Sequence, residues 1–276
     1  MRETSSVRQV DRRRWRQFSL RTLLLVSIGS GALIGPWMER ARRQRLAVAA
    51  LQDAGFQVFY GEPDAQPSLL RERLWAWFGP DLFETVTGLE YSYFDRFRRR
   101  QPLDGPSLEA IRPHLESLPR LQRLDLTTAP TTRMDFSQLV GLVRLESLTV
   151  VDNGHSAEGL GSLRGLPRLE SLTLLGGGTN LELLRSGWPT LESLSAPGTG
   201  DADAEILADC PSGLKHLHLT DCLLTDRGIR ALAQIRGLRS VYFQDTSALT
   251  GKRRASRWDS LRALRPDVTV TYSICD

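Results

Sequence analysis

The chain has 276 residues, of which 41% are hydrophobic and 25% charged, so its composition excludes a disordered protein and allows a sizeable core. The net charge is +4, but residues 1–45 contain eleven arginines against three acidic residues, a net of +8, which leaves −4 for residues 46–276. The pI of 9.2 therefore describes the N-terminal segment and does not indicate a nucleic-acid-binding protein. Three cysteines, without metal-ligand spacing, predict neither a disulfide framework nor a metal or other cofactor.

Residues 22–38 form a run of seventeen residues without charge, flanked by arginines. That length is at the lower limit for a helix that spans a bilayer. We therefore expect a basic cytoplasmic tail over residues 1–21, a transmembrane helix over residues 22–38, and the rest of the chain outside. Two alternatives stay open: a signal peptide cleaved after Ser30-x-Ala32, which would make the protein exported, and a buried soluble helix.

Small residues recur every four positions in this run, at Ser27, Gly31 and Gly35. The spacing places them on one helix face, the pattern that lets two membrane helices approach closely. The bland interpretation is that glycine and serine are simply common in such helices; the alternative is a homodimer through the membrane helix.

Residues 39–110 are expected to hold an amphipathic helix and an N-terminal capping region. Helical spacing of apolar residues covers Glu39–Ala54 and again Ser68–Phe78, with a short strand at Phe56–Tyr60 between them. The phrase Val86-x-x-Leu89-x-Tyr91 resembles one that recurs farther along the chain. The basic run Arg96–Arg100 is interpreted as a solvated loop, or alternatively as a contact for an anionic partner.

The phrase Leu-x-x-Leu-x-Leu, partly degenerate, recurs every 22 to 24 residues. Its six copies begin at Leu121, Leu145, Leu169, Leu191, Leu214 and Leu238. A fixed period of this kind predicts a solenoid in which each repeat supplies one short strand of a parallel sheet. The leucines point into the stack, and the residues between them point outward.

Two further patterns support the stack. The third position after each phrase is occupied in every copy by a small residue, as a position inside the stack requires. These residues are Ala129, Asn153, Gly177, Thr199, Cys222 and Thr246. Apolar residues at i, i+3 spacing predict a helical convex side over Leu160–Leu166 and Ile229–Ile235, the second helix capped by Thr225 or Asp226. Cys222 is then a small buried core residue rather than a nucleophile.

These phrases resemble the leucine-rich repeat, and the stretch from Cys222 to Ile229 resembles the helix entry of cysteine-containing, ribonuclease-inhibitor-like repeats. The resemblance implies an α/β solenoid over residues 111–276: a horseshoe with a parallel concave sheet, convex helices and a C-terminal cap, in which Arg265–Val270 is the closing strand. With the basic tail, short membrane segment and cap, the chain looks like the membrane-anchored leucine-rich-repeat proteins of planctomycete bacteria.

The outward strand positions form the expected binding face, and tyrosine and arginine are frequent hot-spot residues. The candidates for partner binding are Arg123, Asp125, His216, His218 and Tyr242. His216 and His218 make a weak metal site because no third ligand is evident. Since no catalytic motif appears, we expect a membrane-anchored module that binds an unidentified protein, neither an enzyme nor a nucleic-acid-binding protein. The alternative is a structural envelope protein acting by self-association.

Overall fold

The computed structural model describes residues 20–61, 80–82, 84–91, 108–127, 136–151, 161–175, 188–210, 213–245 and 258–274, and the single positions 73, 181 and 184. Residues 1–43 and 44–276 form two separate compact units. Apart from position 73, the predicted helix Ser68–Phe78 lies outside the described residues, as does the basic run Arg96–Arg100.

The described part of the first unit is helical. Helix α1 (Leu20–Asp53) contains the predicted membrane segment and has Pro36 inside it. Among the described residues, no helix is long and apolar enough to cross a membrane, so the expectation for residues 22–38 is not supported. The side chains of residues 20–34, Ser27 among them, lie outside the described residues. Nearer the end of this unit, a hydrogen bond from Arg43 lowers the pKa of Glu39.

In the second unit, α1 presents Ala47, Val48 and Leu51 to the core, whereas Leu46 is 62% exposed. The helix ends at a turn in which Gly55 has a φ of +99°, a left-handed conformation that favours glycine. The strand predicted after this turn is present with the same bounds.

A nine-stranded sheet runs through the second unit, with the strands in sequence order. They are β1 (Phe56–Tyr60), β2 (Val86–Tyr91), β3 (Arg123–Asp125), β4 (Ser147–Val151), β5 (Ser171–Leu175), β6 (Ser193–Pro197), β7 (His216–Thr220), β8 (Ser240–Asp245) and β9 (Thr269–Ile274). Strand β1 pairs antiparallel with β2, and every later pair is parallel. Leu124, Leu148 and Leu172 stand opposite one another and are almost fully buried, which confirms the predicted direction of the leucines.

Helices supply the other side of the core. The α-helices are α2 (Leu108–Glu116), α3 (Asp201–Asp209), α4 (Asp226–Ala233) and the helical residues 258–264, and the 3₁₀ helices are Pro80–Leu82, Phe136–Leu139 and Ser162–Gly165. Of the convex helix expected over Leu160–Leu166, the structure describes the α-helical Gly161 and the 3₁₀ helix Ser162–Gly165. Pro167 follows Leu166, which takes an extended conformation, and a residue before proline is disfavoured in a helix. The second expected helix is present as α4.

Aromatic pairs lie at both ends of the sheet. Phe56 and Tyr91 meet edge to face at a centroid distance of 5.2 Å, and Phe243 stacks on the buried Trp258 at 3.7 Å. The closing strand begins at Thr269, so the strand predicted over Arg265–Val270 starts four residues too early. Arg265 lies in the turn before this strand, where its guanidinium donates to the carbonyl oxygens of Ala233 at 2.9 Å and Ile235 at 3.0 Å.

Candidate binding surface

The face of the sheet turned away from the core is called here the open face. Strand pairing places its side chains in two continuous rows, each with one residue from every strand. Row one contains Phe59, Gly88, Arg123, Ser147, Ser171, Ser193, His216, Ser240 and Thr269, and row two contains Gln57, Glu90, Asp125, Thr149, Thr173, Ser195, His218, Tyr242 and Thr271. In-register pairing therefore turns two positions per repeat into one surface.

The middle of the open face is neutral, and its positions in rows one and two carry only small hydroxyl side chains. Strands β4 to β6 contribute Ser147, Thr149, Ser171, Thr173, Ser193 and Ser195, all half-buried. A hydroxyl is both a hydrogen-bond donor and an acceptor. Along these two rows, the strands can therefore receive polar backbone groups of a partner without a bulky side chain in the way.

The C-terminal end of the open face joins two histidines to their neighbours on β8. His216 Nδ1 lies 2.8 Å from the Ser240 hydroxyl, and the His218 ring meets Tyr242 edge to face with centroids 4.7 Å apart. His218 Nε2 lies 3.3 Å from Gln244 Oε1. Strand packing thus holds the two rings, with their exposed edges available to a partner.

The N-terminal end of the open face contains a depression of about 350 Å³ lined by Phe59, Gly88, Leu89, Glu90, Arg123, Leu124, Asp125, Ser147 and Thr149. Phe59, 43% exposed, projects over Gly88. A Cβ at Gly88 would lie only 3.3 Å from that of Phe59, so the absence of a side chain lets the ring approach. Residues of both rows line this depression.

The charges in this depression are incompletely paired. Asp125 Oδ1 accepts hydrogen bonds from the backbone N–H of Thr127, at 2.7 Å, and from its hydroxyl. Glu90 stands directly opposite Asp125 on the neighbouring strand, where like charges are unfavourable. Neither the Glu90 carboxylate nor the Arg123 guanidinium forms a hydrogen bond or ion pair within the described part of the chain. A cationic group can therefore be accommodated beside the two carboxylates.

The five candidate binding residues fall into two groups. Arg123 and Asp125 lie together on β3, whereas His216, His218 and Tyr242 lie on β7 and β8. Strands β3 and β7 are four inter-strand steps apart, about 19 Å at the usual spacing. The candidates therefore mark two ends of one surface rather than a single pocket.

Phe59 and Glu90 were missed as surface residues by the sequence analysis. The alternation in Phe56–Tyr60, and the outward positions of the phrase beginning at Val86, contain the signal for both. What the sequence does not show is that β1 pairs antiparallel with β2, which places Phe59 opposite Gly88.

The residue directly before each of the strands β3 to β8 is polar or charged. These residues are Gln122, Glu146, Glu170, Glu192, Lys215 and Arg239. Gln122 Nε2 donates to Glu146 Oε1 at 3.2 Å, and Lys215 pairs with Glu192. The hydrogen bond from Lys215 lowers the pKa of the Glu192 carboxyl. The edge is therefore acidic beside the middle strands and basic beside β7 and β8.

Within the described ranges, no group of three or more histidine, cysteine, aspartate or glutamate side chains could hold a metal ion. Cys222 is 1% exposed, which confirms it as a core residue, and Cys210 donates from Sγ to the Leu184 carbonyl oxygen at 2.8 Å. For the expected helix-packing face, Gly35 is exposed with no atom within 4 Å of an added Cβ, while the side-chain position of Gly31 lies outside the described residues.

No protein-family model matches the chain, and no curated protein sequence matches it. Among solved structures, the chain is similar to one in the TLR13–ssRNA13 complex at 22% identity and a TM-score of 0.39, over 56% of this chain and 22% of that one. It is also similar to PEPR1–AtPEP1 at 18% identity and a TM-score of 0.37, over 83% of this chain and 31% of that one.

The fold is leucine-rich-repeat-like. The in-register pairing of the nine strands and the burial of the aligned leucines carry this assignment. The chain spans less than a third of either similar chain. The cysteine-containing subtype and the planctomycete group stay sequence-based expectations.

Proposed function

We propose that the chain is a binding module that takes an extended segment of a protein partner across the open face. The observation that carries this proposal is the pair of in-register rows, which forms a continuous polar strip over all nine strands. Repeat arrays commonly use such extended surfaces for recognition. The partner would run across the strands, over the hydroxyl groups of β4 to β6.

The chemistry of the strip favours a protein over a nucleic acid. The two carboxylates at its N-terminal end and the acidic residues along the middle of its edge repel phosphate groups, and phosphate contacts dominate nucleic-acid affinity. The middle of the strip offers hydroxyl groups rather than the aromatic platform on which unpaired bases stack. The proposal involves no catalysis and no cofactor.

Site-specific photocrosslinking in the native cell tests this proposal. A photoreactive residue at Thr173 lies in the middle of the open face, and the same residue at Glu109 on α2 is the matched control. We expect a discrete adduct with a second protein from position 173 and none from position 109. Equal labelling at both positions, or an adduct containing RNA, would contradict a protein-binding open face.

A second candidate function is self-association, in which the protein acts as a structural component of the envelope. It is supported by the small-residue spacing of Ser27, Gly31 and Gly35. An adduct from position 173 that contains a second copy of this chain would favour it. Analytical ultracentrifugation of the Gly31→Leu/Gly35→Leu variant would then show whether the helix face contributes.

Membrane attachment is proposed from the uncharged run of residues 22–38 with its arginine-rich flanks, with the N-terminus cytoplasmic and the repeats outside. Trp37 and Met38, at the end of that run, are 44% and 50% exposed, as residues that contact lipid would be. An anchor would raise the local concentration of the module at the membrane. Carbonate-washed membranes should retain the full-length protein in the pellet, and its recovery in the supernatant would refute the anchor.

A further inference from the structure

We propose that the depression at the N-terminal end of the open face is a subsite for a basic side chain, arginine or lysine, of the bound protein segment. The inference rests on the proposed function and specifies one chemical feature of the partner. The subsite is the depression lined by Phe59, Glu90 and Asp125.

The volume of the depression is the first argument. At about 350 Å³, it lies at the lower end of the range for small-molecule pockets. It therefore fits one long side chain better than a large cofactor. Its lining includes the exposed ring of Phe59, so the methylene groups of an arginine or lysine would meet an apolar surface.

The charge distribution is the second argument. Glu90 and Asp125 project from neighbouring strands at paired positions, and a cation between them would relieve their repulsion. Only Oδ1 of Asp125 is engaged, by Thr127, so Oδ2 accepts no hydrogen bond from the part of the chain that the structure describes. A guanidinium or ammonium group could donate hydrogen bonds to Asp125 Oδ2 and to the Glu90 carboxylate.

The exposed aromatic ring is the third argument. Phe59 leans over Gly88 in row one, next to the carboxylates of row two. A cation within about 6 Å of a ring centroid is attracted to the ring face. A single group held by carboxylates on one side and by a ring on the other is a basic side chain rather than a neutral one.

Arg123 completes the subsite. It stands opposite Gly88 and points from the same face, with no ion pair to any described residue. Its guanidinium has five N–H donors and no acceptor, so it can donate to the backbone carbonyls of the segment that carries the basic side chain. Its positive charge also repels a segment with several basic residues in a row. The subsite therefore favours a segment with one basic side chain over a polybasic run.

Weak-affinity chromatography of the full-length protein on immobilised N-acetyl-arginine amide tests the inference, with immobilised N-acetyl-citrulline amide as the neutral isostere. We expect retention on the arginine column only. Glu90→Gln/Asp125→Asn should weaken retention about tenfold, and Phe59→Leu about threefold. The asparagine introduced at position 125 would still accept the hydrogen bonds of Thr127, so the double variant should fold, which circular dichroism would confirm.

The matched control is Glu109→Gln/Asp209→Asn, which removes the same charge from exposed positions on α2 and α3. Its retention should equal that of the parent protein. Equal loss in the control, equal retention on citrulline, or unchanged retention of the Glu90→Gln/Asp125→Asn variant would overturn the subsite. Photocrosslinking from position 173 does not depend on these residues, so failure of the subsite would leave the proposed function standing.

Discussion

The contact between α3 and α4 predicts that a Gly→Ala change inside α4 lowers the free energy of unfolding, whereas such a change inside a helix ordinarily raises it. The Asp201 carboxylate accepts hydrogen bonds from the Thr225 N–H at 2.7 Å, from the Thr225 hydroxyl and from the Gly228 N–H at 3.1 Å. A side chain of α3 therefore satisfies the N-terminus of α4, alongside the N-cap Thr225. Replacing alanine by a good cap is worth about 1 kcal/mol, and a hydrogen bond to a charged group somewhat more. We expect Asp201→Ala to cost about 2 kcal/mol on this basis.

Gly228 lies inside α4, where Gly→Ala ordinarily stabilises by about 1 kcal/mol. Here an added Cβ would lie 2.4 Å from Asp201 Oδ1 and 2.7 Å from Leu224 Cδ2. The methyl group must displace the carboxylate and with it the three hydrogen bonds, so overpacking of about 1–3 kcal/mol outweighs the gain in propensity. Gly228→Ala should therefore destabilise the protein by up to about 2 kcal/mol. In an Asp201→Ala background, the gain in propensity and the remaining clash with Leu224 should roughly cancel, so the same change should be close to neutral.

Equilibrium unfolding in urea, followed by far-ultraviolet circular dichroism, measures all four proteins of this double-mutant cycle. Hydrogen exchange of the α4 amides localises the effect. Stabilisation by Gly228→Ala in the parent protein, or additive effects of the two changes, would show that the carboxylate does not hold the helix N-terminus.

The pH dependence of the same contact follows from the pKa of Asp201. Burial disfavours the ionised carboxyl, but the hydrogen bonds from Thr225 and Gly228 outweigh it, so the pKa in the folded protein is lowered from 3.8. A group with a lowered folded pKa stabilises fully above its unfolded value and loses that contribution as pH falls towards the folded value. The penalty of Asp201→Ala should therefore shrink below pH 3.8, and a penalty unchanged down to the folded pKa would contradict the assignment.

Three further changes have expected outcomes. Trp258→Ala should lower the free energy of unfolding by about 3–5 kcal/mol, because it removes the buried stack on Phe243; a loss below about 1 kcal/mol in urea unfolding would count against that packing. Arg262→Ala should increase self-association in sedimentation velocity, because its guanidinium donates to the Val270 carbonyl at 2.7 Å on β9, the last strand of the sheet in the described part of the chain; unchanged sedimentation would refute a protective role. Tyr60→Phe should cost about 1 kcal/mol in thermal unfolding, since it removes the 2.9 Å hydrogen bond to Asp81, and a neutral change would exclude a structural role for that bond.

The leucine phrase predicts much of this fold because one physical constraint repeats. Each copy must bury the same face, so Leu124, Leu148 and their counterparts align and bring the outward residues into rows. This burial constraint does not apply to the part of the chain that lacks the leucine phrase. Nothing in the sequence requires Phe56–Tyr60 to run antiparallel to β2, and that pairing is what places Phe59 beside the carboxylates.

Helix propensity and apolar spacing also fail to predict the local structure where contacts between neighbouring repeats determine it. Propensity alone makes Gly228 an unfavourable residue inside a helix, yet the approach of Asp201 from the preceding repeat requires it. Likewise, apolar spacing over Leu160–Leu166 is typical of an α-helix, but the described residues end in the 3₁₀ helix Ser162–Gly165, and Leu166 before Pro167 is extended. Periodicity predicts which residues are buried, while the contacts between neighbouring repeats determine the geometry that follows.

Row geometry sets the dimensions of the proposed partner segment. Eight inter-strand steps separate β1 from β9, about 38 Å at the usual spacing. An extended chain covers about 3.3 Å per residue, so roughly eleven to twelve residues would cross the whole face. The basic side chain in the depression would then precede or follow the residues that contact His216 and Tyr242 by about six positions, because about 19 Å separates β3 from β7. A partner segment with these two features at a much shorter separation could not engage both ends of the open face at once.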